Sequence, residues 1–150
     1  MSEITLGIIG GGQLGSMLSV AAKKLNIKTI IYCDDKEAPA QNFCDKFIHA
    51  EYDNKNQIYN FAKEVDVITY EFENIPFETL NELNKLKTVL PKPSINRLIQ
   101  HRLAEKDFLN KLNIRTTRYV HVQSKEDLMP LGDFLPGILK TTTMGYDGKG

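Results

Sequence analysis

Short apolar runs alternate along the chain with longer segments whose apolar residues recur at helical spacing. The short runs are rich in β-branched residues and predict buried strands at 4–9, 27–33, 46–52, 66–72 and 88–91. Three predicted helices lie between them, with apolar faces formed by Leu14, Met17, Leu18, Ala21, Ala22 and Leu25, by Ile58, Phe61, Ala62 and Val65, and by Phe77, Leu80, Leu83 and Leu86 after Pro76. This alternation predicts an α/β domain with a doubly wound parallel sheet.

The pattern changes after Pro91-Lys92-Pro93. The sequence then predicts a long helix over 94–112, a strand over 117–122, a helix over 124–131 that Ser124 caps, and a strand over 136–142. We therefore place a domain boundary near Lys92, with one domain over 1–92 and the beginning of a second over 93–150.

The overall composition is that of a globular protein, and the charge is balanced. Lys and Arg together number 19, as do Asp and Glu, so no basic excess points to nucleic acid. No apolar run approaches the length of a membrane span, and no signal peptide fits the N-terminus. Neither the two cysteines nor the three histidines match a metal spacing. These features predict a cytoplasmic protein without a membrane or nucleic-acid partner.

A glycine-rich turn joins the first predicted strand to the first helix. The segment "GGGQLG" (10–15) contains G-x-G-x-x-G at Gly10, Gly12 and Gly15. Glycines at this place let backbone N–H groups approach an anion at the start of a helix. With Asp34 at the end of the second strand, the pattern also fits a nicotinamide-dinucleotide domain. A purely structural tight turn is the other interpretation.

An acidic stretch, "YEFENIP" (70–76), follows the fourth predicted strand. Glu71 and Glu73 alternate with Phe72, so in a strand their side chains would point the same way. Two carboxylates at the ligand-binding edge of the sheet could bind ribose hydroxyls or a cationic group. Alternatively, one of them only caps the following helix.

A second glycine-rich segment, "KTTTMGYDGKG" (140–150), follows the last predicted strand. It brings Gly145, Gly148 and Gly150 together with Lys149, and such a loop can close over a triphosphate. It does not match the P-loop, because a glycine follows the lysine.

Taken in order, "IIGGGQLG", "APAQ", "YEFENIP", "QHRLAEKDFL" and "LKTTTMGYDGKG" resemble 5-(carboxyamino)imidazole ribonucleotide synthetase, an ATP-grasp enzyme of purine biosynthesis. The related ATP-dependent glycinamide ribonucleotide formyltransferase has a similar fold, but "GYDGKG" and "EFENIP" favour the synthetase. The resemblance implies a Rossmann-like pre-ATP-grasp domain followed by the start of an ATP-grasp domain.

The resemblance also implies a reaction and its partners. ATP and bicarbonate would form carboxyphosphate, and the carboxyl group would pass to the exocyclic amine of aminoimidazole ribonucleotide. Such a carbon–nitrogen ligase would require Mg²⁺, and family members are usually homodimers. The metal ligands and the adenine pocket would lie beyond residue 150, so we expect an N-terminal fragment that is inactive alone.

Particular residues match the family's functional positions. Gly12, Gln13, Leu14 and Glu73 would contact the substrate. ATP would be held by Arg102, Lys140 and the loop Gly145, Tyr146, Asp147, Gly148, Lys149 and Gly150, of which Tyr146, Asp147 and Lys149 would face the reaction. A nicotinamide-dependent oxidoreductase domain and a non-catalytic nucleotide-binding module are the alternatives.

Overall fold

A computed structural model describes residues 4–145 of the chain. Four strands and five α-helices are present in this part of the chain, together with three short 3₁₀ turns at Pro39–Asn42, Glu126–Leu128 and Gly132–Phe134. In chain order the main elements are β1 (Thr5–Ile9), α1 (Gln13–Lys24), β2 (Lys28–Cys33), β3 (Lys46–His49), α2 (Lys55–Glu64), β4 (Val67–Tyr70), α3 (Phe77–Leu86), α4 (Pro93–Ile99) and α5 (Arg102–Lys111).

The four strands form one parallel sheet in the order β3-β2-β1-β4. The chain moves outward from β1 through β2 to β3 and then returns to the other side of β1 with β4. This reversal creates a topological switch point between β1 and β4. In open α/β sheets, ligands bind outside the carboxyl ends of the strands at such a point. The predicted fold class is confirmed.

The sheet is covered on both faces, and neighbouring residues of β1 point into different cores. Ile9 belongs to a larger apolar cluster with Phe61 of α2 and Leu80 of α3. Ile8 belongs to a smaller cluster that includes Ala40 of the first 3₁₀ turn. Alternation along one buried strand therefore supplies both layers of the domain.

Helix α1 buries small residues, of which only Ala22 belongs to the predicted apolar face. Its buried residues are the small Gly15, Ser19 and Ala22, and the Ser19 hydroxyl donates a 2.9 Å hydrogen bond to the Gly15 carbonyl. Small side chains allow the helix to approach the sheet and the first 3₁₀ turn closely. The larger apolar residues of the predicted face lie on the exposed side instead, namely Leu14, Met17, Leu18 and Leu25.

Asparagines lie at the ends of two helices. Asn26 has a φ of +56° just after α1, and the Ile27 N–H donates to the Ala22 carbonyl, which closes the helix. Helix α2 buries Ile58 and Phe61 as predicted. The side chain of Asn54 caps this helix by accepting from the Gln57 N–H at 3.1 Å.

The predicted fifth strand, over 88–91, is reduced to a single parallel bridge between Ile68 and Val89. The Ile68 N–H donates to the Thr88 carbonyl and the Leu90 N–H donates to the Ile68 carbonyl, each at 2.9 Å. Pro91 follows at once and has no N–H to extend the ladder. The segment thus lies beside β4, although it is too short to be a strand.

The predicted long helix over 94–112 is interrupted. Helix α4 ends at Ile99 and α5 begins at Arg102. Between them His101 adopts an extended backbone, and its ring accepts a hydrogen bond from the Ala104 N–H at 3.3 Å. The imidazole therefore caps a new helix, which the apolar periodicity alone did not reveal.

The other predictions for the second half were wrong in the described residues. Neither 117–122 nor 136–142 is a strand there, because a strand needs a paired neighbour that its own sequence cannot supply. The helix predicted over 124–131 is only the turn Glu126–Leu128. Ser124 does not cap it with its side chain, since the Ser124 N–H instead donates to the Asp127 carboxylate at 2.8 Å.

The chain divides into two compact units, residues 1–97 and 98–150. The first contains the sheet and both apolar clusters. In the second unit, the side chain of Lys106 reaches the Thr117 hydroxyl at 2.8 Å, and the Asn110 amide reaches the Tyr119 hydroxyl at 3.0 Å. Helix α5 itself contains no fully buried residue.

Candidate functional site

The glycine turn and the acidic stretch meet at the switch point of the sheet. Ile9, the last residue of β1, pairs in register with Tyr70, the last residue of β4. The turn at Gly10–Gly12 and the segment at 71–73 therefore leave the sheet from adjacent positions. The Glu71 N–H also donates to the Ile9 carbonyl at 3.1 Å, which extends the pairing by one step.

The carboxylate of Glu71 is bonded to the glycine turn. Its Oε1 accepts a 2.9 Å hydrogen bond from the backbone N–H of Gly12, in a partly buried setting. Gly12 is the N-cap residue of α1. Glu71 therefore binds the beginning of α1, which is the place where such turns commonly hold a phosphate. The resemblance assigns Glu73 to the substrate, but Glu71 is the glutamate that binds the glycine turn.

Two positions of the turn show why glycine is required. Gly10 has a φ of +98°, in the region that disfavours side chains. A Cβ built on Gly10 would lie 2.8 Å from Oε1 of Glu71, and one on Gly11 would lie 2.7 Å from the Cβ of Ala38. The space beside these glycines is thus filled by the chain itself. This favours the structural interpretation of the glycine motif.

The strand argument for Glu71 and Glu73 was wrong, because β4 ends at Tyr70. Both glutamates lie in the irregular segment that follows, and both are partly buried. Glu71 caps α1 and not the helix after it. The sequence carried one indication of this contact: α1 has no capping side chain and no acidic residue in its first turn.

The other predicted residues of the first unit also lie near the switch point in the fold. Gln13 and Leu14 open α1 directly after the glycine turn, and both are exposed. Asp34 follows the end of β2 and is exposed as well. Its carbonyl oxygen lies 3.1 Å from Nε2 of His49. The turn, the start of α1 and the end of β2 therefore share one edge of the sheet.

Buried polar atoms accompany the acidic segment. Within the described residues, the Tyr70 hydroxyl and the Asn74 side-chain nitrogen have no hydrogen-bond partner, and burial raises the pKa of Tyr70. Asn96 of α4 is fully buried and donates to the Ile75 carbonyl at 3.1 Å. This bond fixes the end of the segment to α4.

The second unit brings two predicted nucleotide-binding cations into one region. The backbone N–H of Arg102, at the start of α5, donates to the Thr142 carbonyl at 2.8 Å. Lys140 lies two residues before Thr142, and both cationic side chains are exposed. The positive end of the helix dipole adds to their charge. This arrangement is suited to attracting an anion.

The remaining predicted residues of the second glycine loop extend past the described part. Gly145 is described and exposed. Tyr146, Asp147, Gly148, Lys149 and Gly150 lie outside the described residues. Within residues 4–145, no group of three or more His, Cys, Asp or Glu side chains could hold a metal ion.

A surface pocket of about 400 Å³ lies at the other end of α1, lined by Val20, Lys23, Lys24, Asn42 and Phe43. It includes none of the predicted site residues. Among the described residues, no helix combines the length and apolar character needed to cross a bilayer.

Comparison with known proteins identifies the family. The model of the ribonucleotide synthetase preATP-grasp domain matches residues 3–100, which contain the sheet, the glycine turn and the acidic segment. The chain belongs to this family. The ribonucleotide synthetase preATP-grasp domain accordingly covers the whole first compact unit apart from its first two residues.

Relatives of this preATP-grasp domain carry the name predicted from the five motifs. The N5-carboxyaminoimidazole ribonucleotide synthase of Staphylococcus epidermidis is 40% identical over 148 residues, which are 97% of this chain and 40% of the relative. The solved synthetase of Staphylococcus aureus complexed with ADP has a TM-score of 0.88 and 34% identity, over 98% of this chain and 40% of the other. These similarities confirm the resemblance.

A third similar structure was solved with two ligands. The N5-carboxyaminoimidazole synthase of Aspergillus clavatus, in complex with ADP and 5-aminoimidazole ribonucleotide, has a TM-score of 0.75 and 28% identity over 89% of this chain and 36% of the other. The chain spans between 15% and 41% of the length of the first curated relatives that it matches.

Proposed function

We propose that this chain contributes the first domain, and part of the nucleotide-binding region, of an ATP-dependent ligase that carboxylates aminoimidazole ribonucleotide to N5-carboxyaminoimidazole ribonucleotide. One observation carries the proposal: the glycine turn and the acidic segment leave the sheet side by side at its switch point. The chain also aligns over 97% of its length with a synthase of that name.

The reaction has two steps. A bicarbonate oxygen attacks the γ-phosphorus of ATP, the bond to the bridging oxygen breaks, and carboxyphosphate and ADP form. The exocyclic amine of aminoimidazole ribonucleotide then attacks the carboxyl carbon. A carbon–nitrogen bond forms, phosphate leaves, and the amine loses a proton. The ATP used in the first step would bind to the second unit of the chain. The aminoimidazole ribonucleotide used in the second step would bind at the switch point of the first unit.

In this proposal Glu73, Gln13 and Leu14 contact the ribonucleotide. Gly12 is also proposed to contact the substrate, although its N–H is already bonded to Glu71. Arg102 and Lys140 neutralise phosphate oxygens, and the segment from Gly145 to Gly150 covers them, with Tyr146, Asp147 and Lys149 facing the reaction. The exposed cations around the start of α5 support this part.

Magnesium would neutralise the phosphates when bound. The described residues offer no cluster of acidic side chains for it, so no step above depends on a metal held by them.

We also propose that the complete enzyme is a cytoplasmic homodimer, which light scattering of the purified enzyme would test. The division into a domain over 1–92 and an ATP-grasp beginning over 93–150 stays a proposal.

The experiment that tests the proposal measures binding of aminoimidazole ribonucleotide by titration calorimetry. Glu73→Gln should weaken binding at least tenfold. Glu82→Gln removes the same charge from the middle of α3, where Glu82 pairs with Lys85, and should leave binding unchanged. Equal affinities of the wild type and the Glu73 variant would contradict the assigned role.

Turnover is tested separately. ADP release that depends on both bicarbonate and aminoimidazole ribonucleotide should appear with the complete gene product and not with the 150-residue chain alone. Saturable binding of NADH would favour the oxidoreductase alternative. Ribonucleotide binding without turnover by the complete product would favour a non-catalytic module.

A further inference from the structure

Helix α1 lacks an anionic cap of its own. Its N-cap residue, Gly12, has no side chain, and its first turn contains no acidic residue. The positive end of the helix dipole and the first N–H groups therefore need an anion from elsewhere. In dinucleotide-binding domains with the same glycine spacing, the pyrophosphate of the ligand occupies this place.

In this chain a carboxylate fills that place. Oε1 of Glu71 bonds to the Gly12 N–H at 2.9 Å. The same oxygen would lie 2.8 Å from a Cβ on Gly10 and 3.1 Å from one on Gly12. Glu71 thus lies across the turn, against the glycines that would otherwise approach a phosphate.

The opposite side of the turn is also occupied. The Gly11 carbonyl accepts from the Ala40 N–H at 3.0 Å, and a Cβ on Gly11 would meet the Cβ of Ala38 at 2.7 Å. The Gly10 N–H is bonded to the Tyr32 carbonyl at 2.9 Å. Replacing the single side chain of Glu71 could therefore open its side of the glycine turn to an anion.

We propose that Glu71 is a specificity-determining residue, a built-in anion that excludes the pyrophosphate group of dinucleotides from the glycine turn. A pyrophosphate placed there would meet a negative charge at contact distance and would have to displace the bond to Gly12. The turn keeps the glycine spacing of a dinucleotide site, while its anion position is occupied by the Glu71 carboxylate. Binding of aminoimidazole ribonucleotide and ligase activity play no part in this inference.

Removing Glu71 should therefore create an anion site. The experiment titrates inorganic pyrophosphate, and separately NADH, into the wild-type chain and into Glu71→Ala by calorimetry at low ionic strength. Glu71→Ala should bind pyrophosphate at least tenfold more tightly than the wild type. Glu82→Ala is the matched control, because it removes the same charge from the middle of α3, where Glu82 pairs with Lys85, and its affinity for pyrophosphate should stay within threefold of the wild type.

Two results would overturn the proposal. The first is wild-type binding of pyrophosphate or NADH as tight as that of Glu71→Ala. The second is an equal gain in Glu71→Ala and Glu82→Ala, which would show an effect of net charge alone. Circular dichroism verifies folding, and if Glu71→Ala does not fold, Glu71→Ser carries the same expectation, because its hydroxyl is too short to reach Gly12.

Discussion

Replacement of Gly10 by alanine tests how the glycine turn and Glu71 depend on each other. The new Cβ would adopt a φ of +98° and would lie 2.8 Å from Oε1 of Glu71. Backbone strain at such a position costs about 1–3 kcal/mol. Displacing the partly buried bond between the carboxylate and Gly12 costs roughly 1.5–3 kcal/mol. Because the turn can relax in part, we expect Gly10→Ala to lower the free energy of unfolding by about 2–4 kcal/mol.

Urea denaturation measures this loss, which should lower the midpoint by roughly 1–2 M. Gly12→Ala is the control, since Gly12 has a φ of −73° and its Cβ would be 3.1 Å from the same oxygen. It should cost only about 1 kcal/mol. In a double-mutant cycle, Glu71→Ala should recover at least ~1 kcal/mol of the Gly10→Ala loss. Equal losses for the two glycine variants, or strict additivity in the cycle, would refute this reasoning.

Three further predictions concern packing and pH. Asn96→Ala removes the buried hydrogen bond that the Asn96 side chain donates to the Ile75 carbonyl and should lower the free energy of unfolding, measured by urea denaturation, by about 1–3 kcal/mol. Burial, with nearby acidic groups, raises the pKa of Tyr32 to about 12. Its contribution to the free energy of unfolding is therefore present below pH 10 and declines between pH 10 and 12. Alkaline denaturation of Tyr32→Phe should show a smaller loss of stability over this range. The backbone N–H groups of Gln123 and Ser124 lower the pKa of Asp127. The stability that this turn contributes is therefore present above the ordinary aspartate pKa and is lost as the pH falls. Asp127→Ala should remove the protection of these two amides from hydrogen exchange at neutral pH.

Local periodicity was enough to predict most of the first unit. The strand over 27–33 and the face of α2 were found because one element's own sequence carries its signal. The position of helix α1 in the sequence was predicted correctly, but most of the face that it buries was not. The sheet accepts the small Gly15, Ser19 and Ala22, and a hydrophobicity pattern gives no weight to the close approach that small residues allow.

The site was predictable only in part. The glycine turn and the acidic segment were both recognised, because each is a contiguous motif. Their contact was not, since Gly12 and Glu71 are 59 residues apart in the sequence, and their proximity depends on the strand order. The interruption at His101 escaped notice for a related reason, because an imidazole is an uncommon helix cap.

On helix α1 the small residues are buried and the large apolar residues are exposed, so the small ones should tolerate substitution less well. Along this helix, Ser19 should be among the least replaceable positions, because any larger side chain would push the helix away from the sheet. Met17, which is 66% exposed, should accept lysine or glutamate with little effect on the free energy of unfolding. A mutational scan that scored positions by hydrophobicity would rank these two in the wrong order. Engineering of this domain for solubility can therefore start from its most apolar helix face without disturbing the core beneath it.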